Sequence, residues 1–134
     1  MSIPNTNDET PKRRALTRSE HRALEKFARL EISLEKLQRS LGKMLEFSFG
    51  EHERRLNSYF LFPRPGVRVE LKYIKAAVDK NARGEITTEQ LADWATMLLL
   101  NDAYDWEGGQ DEDEIADWLN EISMLTLKPK AQTE

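Results

Sequence analysis

The chain predicts a mainly α fold: a single small helical domain of four to six helices, with room for one short β-hairpin around residues 45–62. Three observations predict it. Helix-capping pairs recur just ahead of apolar stretches, those stretches repeat at helical spacing, and proline or glycine breaks separate them. The 134 residues suit one domain. Within it, 1–15 reads as a disordered N-terminal arm, 16–126 as the helical domain and 127–134 as a flexible C-terminal tail.

Thr17 and Glu20 stand at capping-box spacing, which predicts a first helix reaching about Arg29 with Leu24, Phe27 and Ala28 inward. Ser33 can cap a second helix, with Ile32 and Leu37 at the staple positions around it. Leu34, Leu37, Leu41, Met44 and Leu45 keep the helical period, and Gly42 is a mild weakness inside it. Residues 46–69 admit two descriptions: a hairpin pairing 45–49 with 58–62, or a third helix from about Glu51 to Leu61. Short apolar runs do not decide between them, and the aromatics of 47–62 fit core or a partner groove.

Phe62-Pro-Arg-Pro-Gly66 breaks the chain. A helix then runs from about Glu70 to Asn81 and ends at Gly84. The next starts at Thr87, where Thr87 and Gln90 form a capping box and Ile86 and Leu91 a staple. Leu91, Trp94, Ala95 and Leu98 make one stripe, widened by Met97, Leu99 and Leu100. A helix apolar on most sides is surrounded by others, so this one is the expected core axis. After Gly108-Gly109, Asp111 can cap a last helix with Glu114 at its third position. Ile115, Trp118, Leu119, Ile122 and Leu125 form its stripe. Leu91-Ala-Asp-Trp94 recurs as Ile115-Ala-Asp-Trp118, which two helices packing alike would explain.

Charge is unevenly spread. Residues 1–83 hold 18 Lys and Arg against 11 Asp and Glu, whereas 84–127 hold 12 acids and no Lys or Arg. Cysteine is absent, so thiol chemistry and disulfides are excluded. No apolar run nears the ~18 residues a bilayer requires, and no apolar signal core is visible. The expected location is cytoplasmic.

Three chemistries are weighed. Asp79 to Gln90 is spaced like a calcium loop, with Asp79, Asn81 and Gly84 in register. Arg83 and Gln90 then fall where an oxygen ligand and a bidentate carboxylate belong. That leaves a helix–turn–helix, or a metal-responsive or structural domain with a degenerate loop. Catalysis has little to stand on: His21 and His52 lie in polar surroundings, and no phosphate loop or zinc motif is present. The basic first half could serve a small nucleic-acid-associated regulator, although the acidic half would repel phosphates.

The third chemistry is protein binding. Nine acids lie between Asp102 and Glu121 with no basic residue in the segment. Asp102, Tyr104, Asp105, Trp106, Glu107, Asp111, Glu112, Asp113 and Glu114 form the candidate partner-binding set. The carboxylates would steer a basic partner and the aromatics would anchor it.

Gly84-Glu-Ile-Thr-Thr-Glu-Gln-Leu-Ala-Asp-Trp-Ala95, followed by an acidic break and a closing amphipathic helix, resembles a pattern in small helical bacterial proteins. Some of those are immunity proteins of toxin–immunity systems. The resemblance covers residues 67–125. It implies a non-enzymatic cytoplasmic protein that neutralises a toxin partner without cofactor or metal, and it carries over no catalytic residues.

Overall fold

The computed structural model describes residues 13–50 and 52–126. Five α-helices carry the fold: α1 (Arg18–Ala28), α2 (Leu34–Leu41), α3 (Leu71–Ala82), α4 (Thr88–Leu100) and α5 (Glu112–Ser123). Six short strands accompany them: β1 (Arg14–Ala15), β2 (Leu45–Phe49), β3 (Arg54–Ser58), β4 (Phe60–Leu61), β5 (Val67–Arg68) and β6 (Tyr104–Asp105). They pair as three separate two-stranded sheets, so the architecture is mixed, with helices dominating. No described helix is long and apolar enough to cross a membrane.

The caps set the helix starts. Thr17 accepts from Glu20 N while the Glu20 carboxylate accepts from Thr17 N, and Thr87 and Gln90 repeat that exchange at α4. Arg14 also donates twice to Glu20, and this hydrogen bonding holds the Glu20 carboxyl down at about 2. Ser33 caps α2 by accepting from Lys36 N. Gly42 does more than weaken that helix. Its φ of +59° ends α2 after Leu41, and a single 3₁₀ turn leads into β2. The arm expected at 1–15 lies outside the described residues as far as residue 12. Arg14 and Ala15 belong to β1, parallel to β4. The expected tail at 127–134 lies wholly outside them.

The hairpin description of 45–62 holds, with a different second arm. β2 pairs antiparallel with β3, Leu45 opposite Ser58 and Phe49 opposite Arg54, and the described residues 52–61 of the alternative helix over 51–61 form none. The inward face of β3 carries Arg54 and Leu56, so its apolar alternation is broken by a cation. Arg54 fits because its side chain, only 7% exposed, is held at both terminal nitrogens, although the buried Nε has no hydrogen-bond partner among the described residues. Nη1 donates to Asp93 at 2.6 Å and to Thr96 at 3.3 Å, Nη2 donates to Thr126 at 2.7 Å, and the guanidinium lies over the Phe49 ring.

α4 is the core axis. Leu91, Ala92, Trp94, Ala95, Met97 and Leu98 are all buried, and α5 packs along it. The widening of its stripe stops short of the end, since Leu100 is exposed. Trp94 Nε1 donates to the carbonyls of Phe27 and Ala28, at 3.1 and 3.3 Å. These belong to the last turn of α1, whose carbonyls have no partner within their own helix. The four-residue echo marks different surroundings: Trp94 is buried, whereas Trp118 is half-buried. Leu125, expected inward on α5, is exposed.

Candidate functional site

The acidic segment begins inside the core. After α4, Asn101 is buried, its side-chain oxygen accepts from Ala103 N and its carbonyl accepts from Tyr104 N. β6 then lies parallel to β5, Tyr104 beside Val67 and Asp105 beside Arg68. Gly66 makes this approach feasible, because a Cβ there would come within 2.9 Å of the Ala103 carbonyl oxygen.

Tyr104 is therefore not a surface anchor. Its ring is buried, its hydroxyl donates to the Leu24 carbonyl at 2.8 Å, and burial pushes its phenol well above the usual range. The expected role fails because a non-local strand pairing draws the tyrosine inward. Trp106, two residues on, is half-buried against the core and remains partly accessible.

Beyond β6 the chain turns outward. Asp105 is held at both oxygens: one accepts from Glu107 N at 2.9 Å, the other lies 3.5 Å from Arg68 Nη1. The segment thus has one counter-charge, supplied by the neighbouring strand. Asp111 occupies the cap position of α5, but its backbone is not extended and its side chain accepts nothing. Glu112 closes the turn in its place, accepting from Gly108 N at 2.9 Å. Asp102, Glu107, Asp111, Asp113 and Glu114 are exposed, and so are Asp117 and Glu121 further along α5. Among the described residues none of these seven forms an ion pair. Acids in the first turn of a helix also meet the positive end of its dipole. Beside them a shallow groove of about 270 Å³ is lined by Trp106, Ile115, Arg68 and Lys72.

The calcium-like loop is closed by its own arginine. Arg83 reaches back to the Asp79 carboxylate, and its Nε donates to Glu85 at 2.7 Å. The cation of this turn is a guanidinium. Its hydrogen bond lowers the Glu85 carboxyl below the usual value. Among the described residues no cluster of three or more His, Cys, Asp or Glu is placed to hold a metal ion.

A second feature lies outside the sequence expectations. The turn between α1 and α2 reads Arg29-Leu-Glu-Ile-Ser-Leu-Glu35. The turn between α3 and α4 reads Arg83-Gly-Glu-Ile-Thr-Thr-Glu89, 54 positions later. Their geometry matches too. In the first, Leu30 N donates to Phe27 O and Glu31 N to Lys26 O; in the second, Gly84 N donates to Asn81 O and Glu85 N to Lys80 O. Both are Schellman endings with a left-handed residue, φ +56° at Leu30 and +78° at Gly84. Arg29 pairs with Glu31 at 3.0 Å as Arg83 pairs with Glu85. The signal available in sequence was the recurring Arg-x-Glu-Ile-Ser/Thr-x-Glu string. The two turns meet at a cleft of about 240 Å³ whose walls include Leu30, Ile32, Glu35, Ile86, Asp93 and Trp94.

Comparison of the chain with protein-family models, with curated proteins and with solved structures found no match in any of the three.

Proposed function

We propose that the chain is a non-enzymatic protein-binding module that docks a basic protein partner through the acidic surface of the β6–α5 turn and the start of α5. The observation that carries this reading is the run of exposed carboxylates at Asp102, Glu107, Asp111, Asp113 and Glu114, free of ion pairs among the described residues, beside the partly accessible Trp106. Unpaired surface carboxylates of one sign raise the encounter rate with a cationic surface, and a half-buried tryptophan supplies anchoring area. Burial of Tyr104 removes it from the binding set and leaves Trp106 as the aromatic contact. An immunity or inhibitor protein of a bacterial cytoplasm, neutralising a basic toxin, would use such a surface.

The test is affinity capture from the source cell at low and high salt, using the wild-type chain and a variant carrying Asp111→Asn, Asp113→Asn and Glu114→Gln. These three side chains make no hydrogen bond among the described residues, so the fold is expected to survive. A basic protein retained by the wild type at low salt and lost by the variant supports the proposal. Retention of nothing, or equal retention by both, contradicts it.

A further inference from the structure

The cleft between the two matched turns has a character of its own. Its walls combine apolar side chains, Leu30, Ile32, Ile86 and Trp94, with the carboxylates of Glu31, Glu35 and Asp93, and no lysine or arginine lines it. Two of those acids are already engaged, Glu31 by Arg29 and Asp93 by Arg54, while Glu35 has no ion-pair partner among the described residues. Burial raises the Asp93 carboxyl above its usual value against the pull of Arg54, and Glu89 and Glu35 push the same way. By count, two of the three cleft carboxylates are paired by arginines outside the cleft, which leaves the charge of Glu35 uncompensated among the described residues.

Size narrows the occupant. About 240 Å³ is below the ~300–1,000 Å³ of small-molecule sites. It suits one or two side chains. Apolar walls with acids at the edge fit an arginine, whose aliphatic stem covers apolar surface while its weakly hydrated guanidinium meets carboxylates. Leu30 completes the apolar wall while also packing against the core. It holds a left-handed conformation that glycine adopts without strain, as Gly84 does in the matching turn, and its side chain forms cleft wall.

We propose that this cleft is a docking pocket for an arginine flanked by an aliphatic residue, presented on an extended segment of a partner protein. None of its carboxylates belongs to the β6–α5 turn, so the inference goes beyond the acidic-surface reading and stands or falls separately from it.

The probe is an acetylated, amidated peptide, Ala-Leu-Arg-Leu-Ala, titrated into isotopically labelled full-length chain and followed by backbone amide shifts. Shifts are expected at residues 30–35 and 86–94. Glu35→Gln, at an exposed position, should weaken binding roughly two- to fivefold, the range of a partly exposed charge pair. The Asp111→Asn, Asp113→Asn, Glu114→Gln variant should bind as the wild type does. The proposal is overturned if no shift reaches the cleft at millimolar peptide, or if shifts gather only around residues 102–114. It also fails if a peptide with glutamine for arginine binds equally well, or if Glu35→Gln has no effect. Cleft resonances that move with protein concentration alone would make a second copy of the chain the occupant, which also contradicts it.

Discussion

The turns at residues 29–33 and 83–87 share an arginine–glutamate pair, an isoleucine before the cap, a hydroxyl cap and a Schellman ending. They differ at the left-handed position, where one carries Leu30 and the other Gly84. They differ also in what holds them: Trp94 donates into the end of α1, whereas Asn81 Nδ2 donates to Ile86 O within the second turn. The same local code thus yields a self-contained turn in one place and a turn tied to the core in the other. The tied one places a leucine in the cleft at a cost in backbone strain.

The comparison breaks most severely at Trp94. Trp94→Phe keeps most of the ring and removes the donor shared by Phe27 and Ala28. Phe27 O keeps Leu30 N at 2.9 Å, so the loss falls on the Ala28 carbonyl, and leaving it unsatisfied should lower stability by about 1–3 kcal/mol. Chemical denaturation would measure it, with hydrogen exchange showing the loss concentrated at the end of α1. A change below a few tenths of a kcal/mol would mean that Trp94 does not tie that turn.

Exchanging the left-handed residues sharpens the contrast. Gly84→Leu puts a side chain where φ is +78° and should cost about 1 kcal/mol by strain alone, because a Cβ there meets nothing within 4 Å. Leu30→Gly should recover about 0.5–1 kcal/mol of strain, offset in part by lost apolar contact and by greater unfolded-state freedom. The same variant should bind the arginine peptide more weakly. Opposite signs of the two strain effects in thermal melts are expected; a Leu30→Gly variant that melts well below wild type would show that packing outweighs strain there.

The smallest expected effect is acid sensitivity at the second turn. Hydrogen bonding from Arg83 lowers the folded Glu85 carboxyl below its usual value. A depressed carboxyl contributes stability above its unfolded value, and that contribution disappears as pH falls through the folded value. An NMR titration of Glu85 should place its midpoint lower in the wild type than in Arg83→Gln, where it should return to the ordinary carboxylate range. Equal midpoints in the two proteins would show that the pair does not perturb Glu85.

The helix starts were legible because their signals are local. Thr17 with Glu20, Ser33, and Thr87 with Gln90 each fix a start from four residues of sequence, and the helices begin there. The strands were not, because their causes are distant in sequence. β3 hides behind Arg54, an inward cation stabilised by Asp93 on a helix 39 positions away. Tyr104 sits among acids in sequence, but a parallel pairing with Val67 takes it into the core. Asp111 looked like a cap, and Glu112 took the closing role through Gly108. The acidic surface was legible as composition, whereas the cleft depends on two turns 54 positions apart and follows only from the fold.

The central claim is electrostatic docking through the β6–α5 turn. Its most direct measurement is the association rate with the captured partner, taken across salt concentrations for the wild type and for the Asp111→Asn, Asp113→Asn, Glu114→Gln variant. Steering by exposed carboxylates predicts a rate that falls steeply with salt in the wild type and much less in the variant. Equal salt dependence in the two proteins would contradict it.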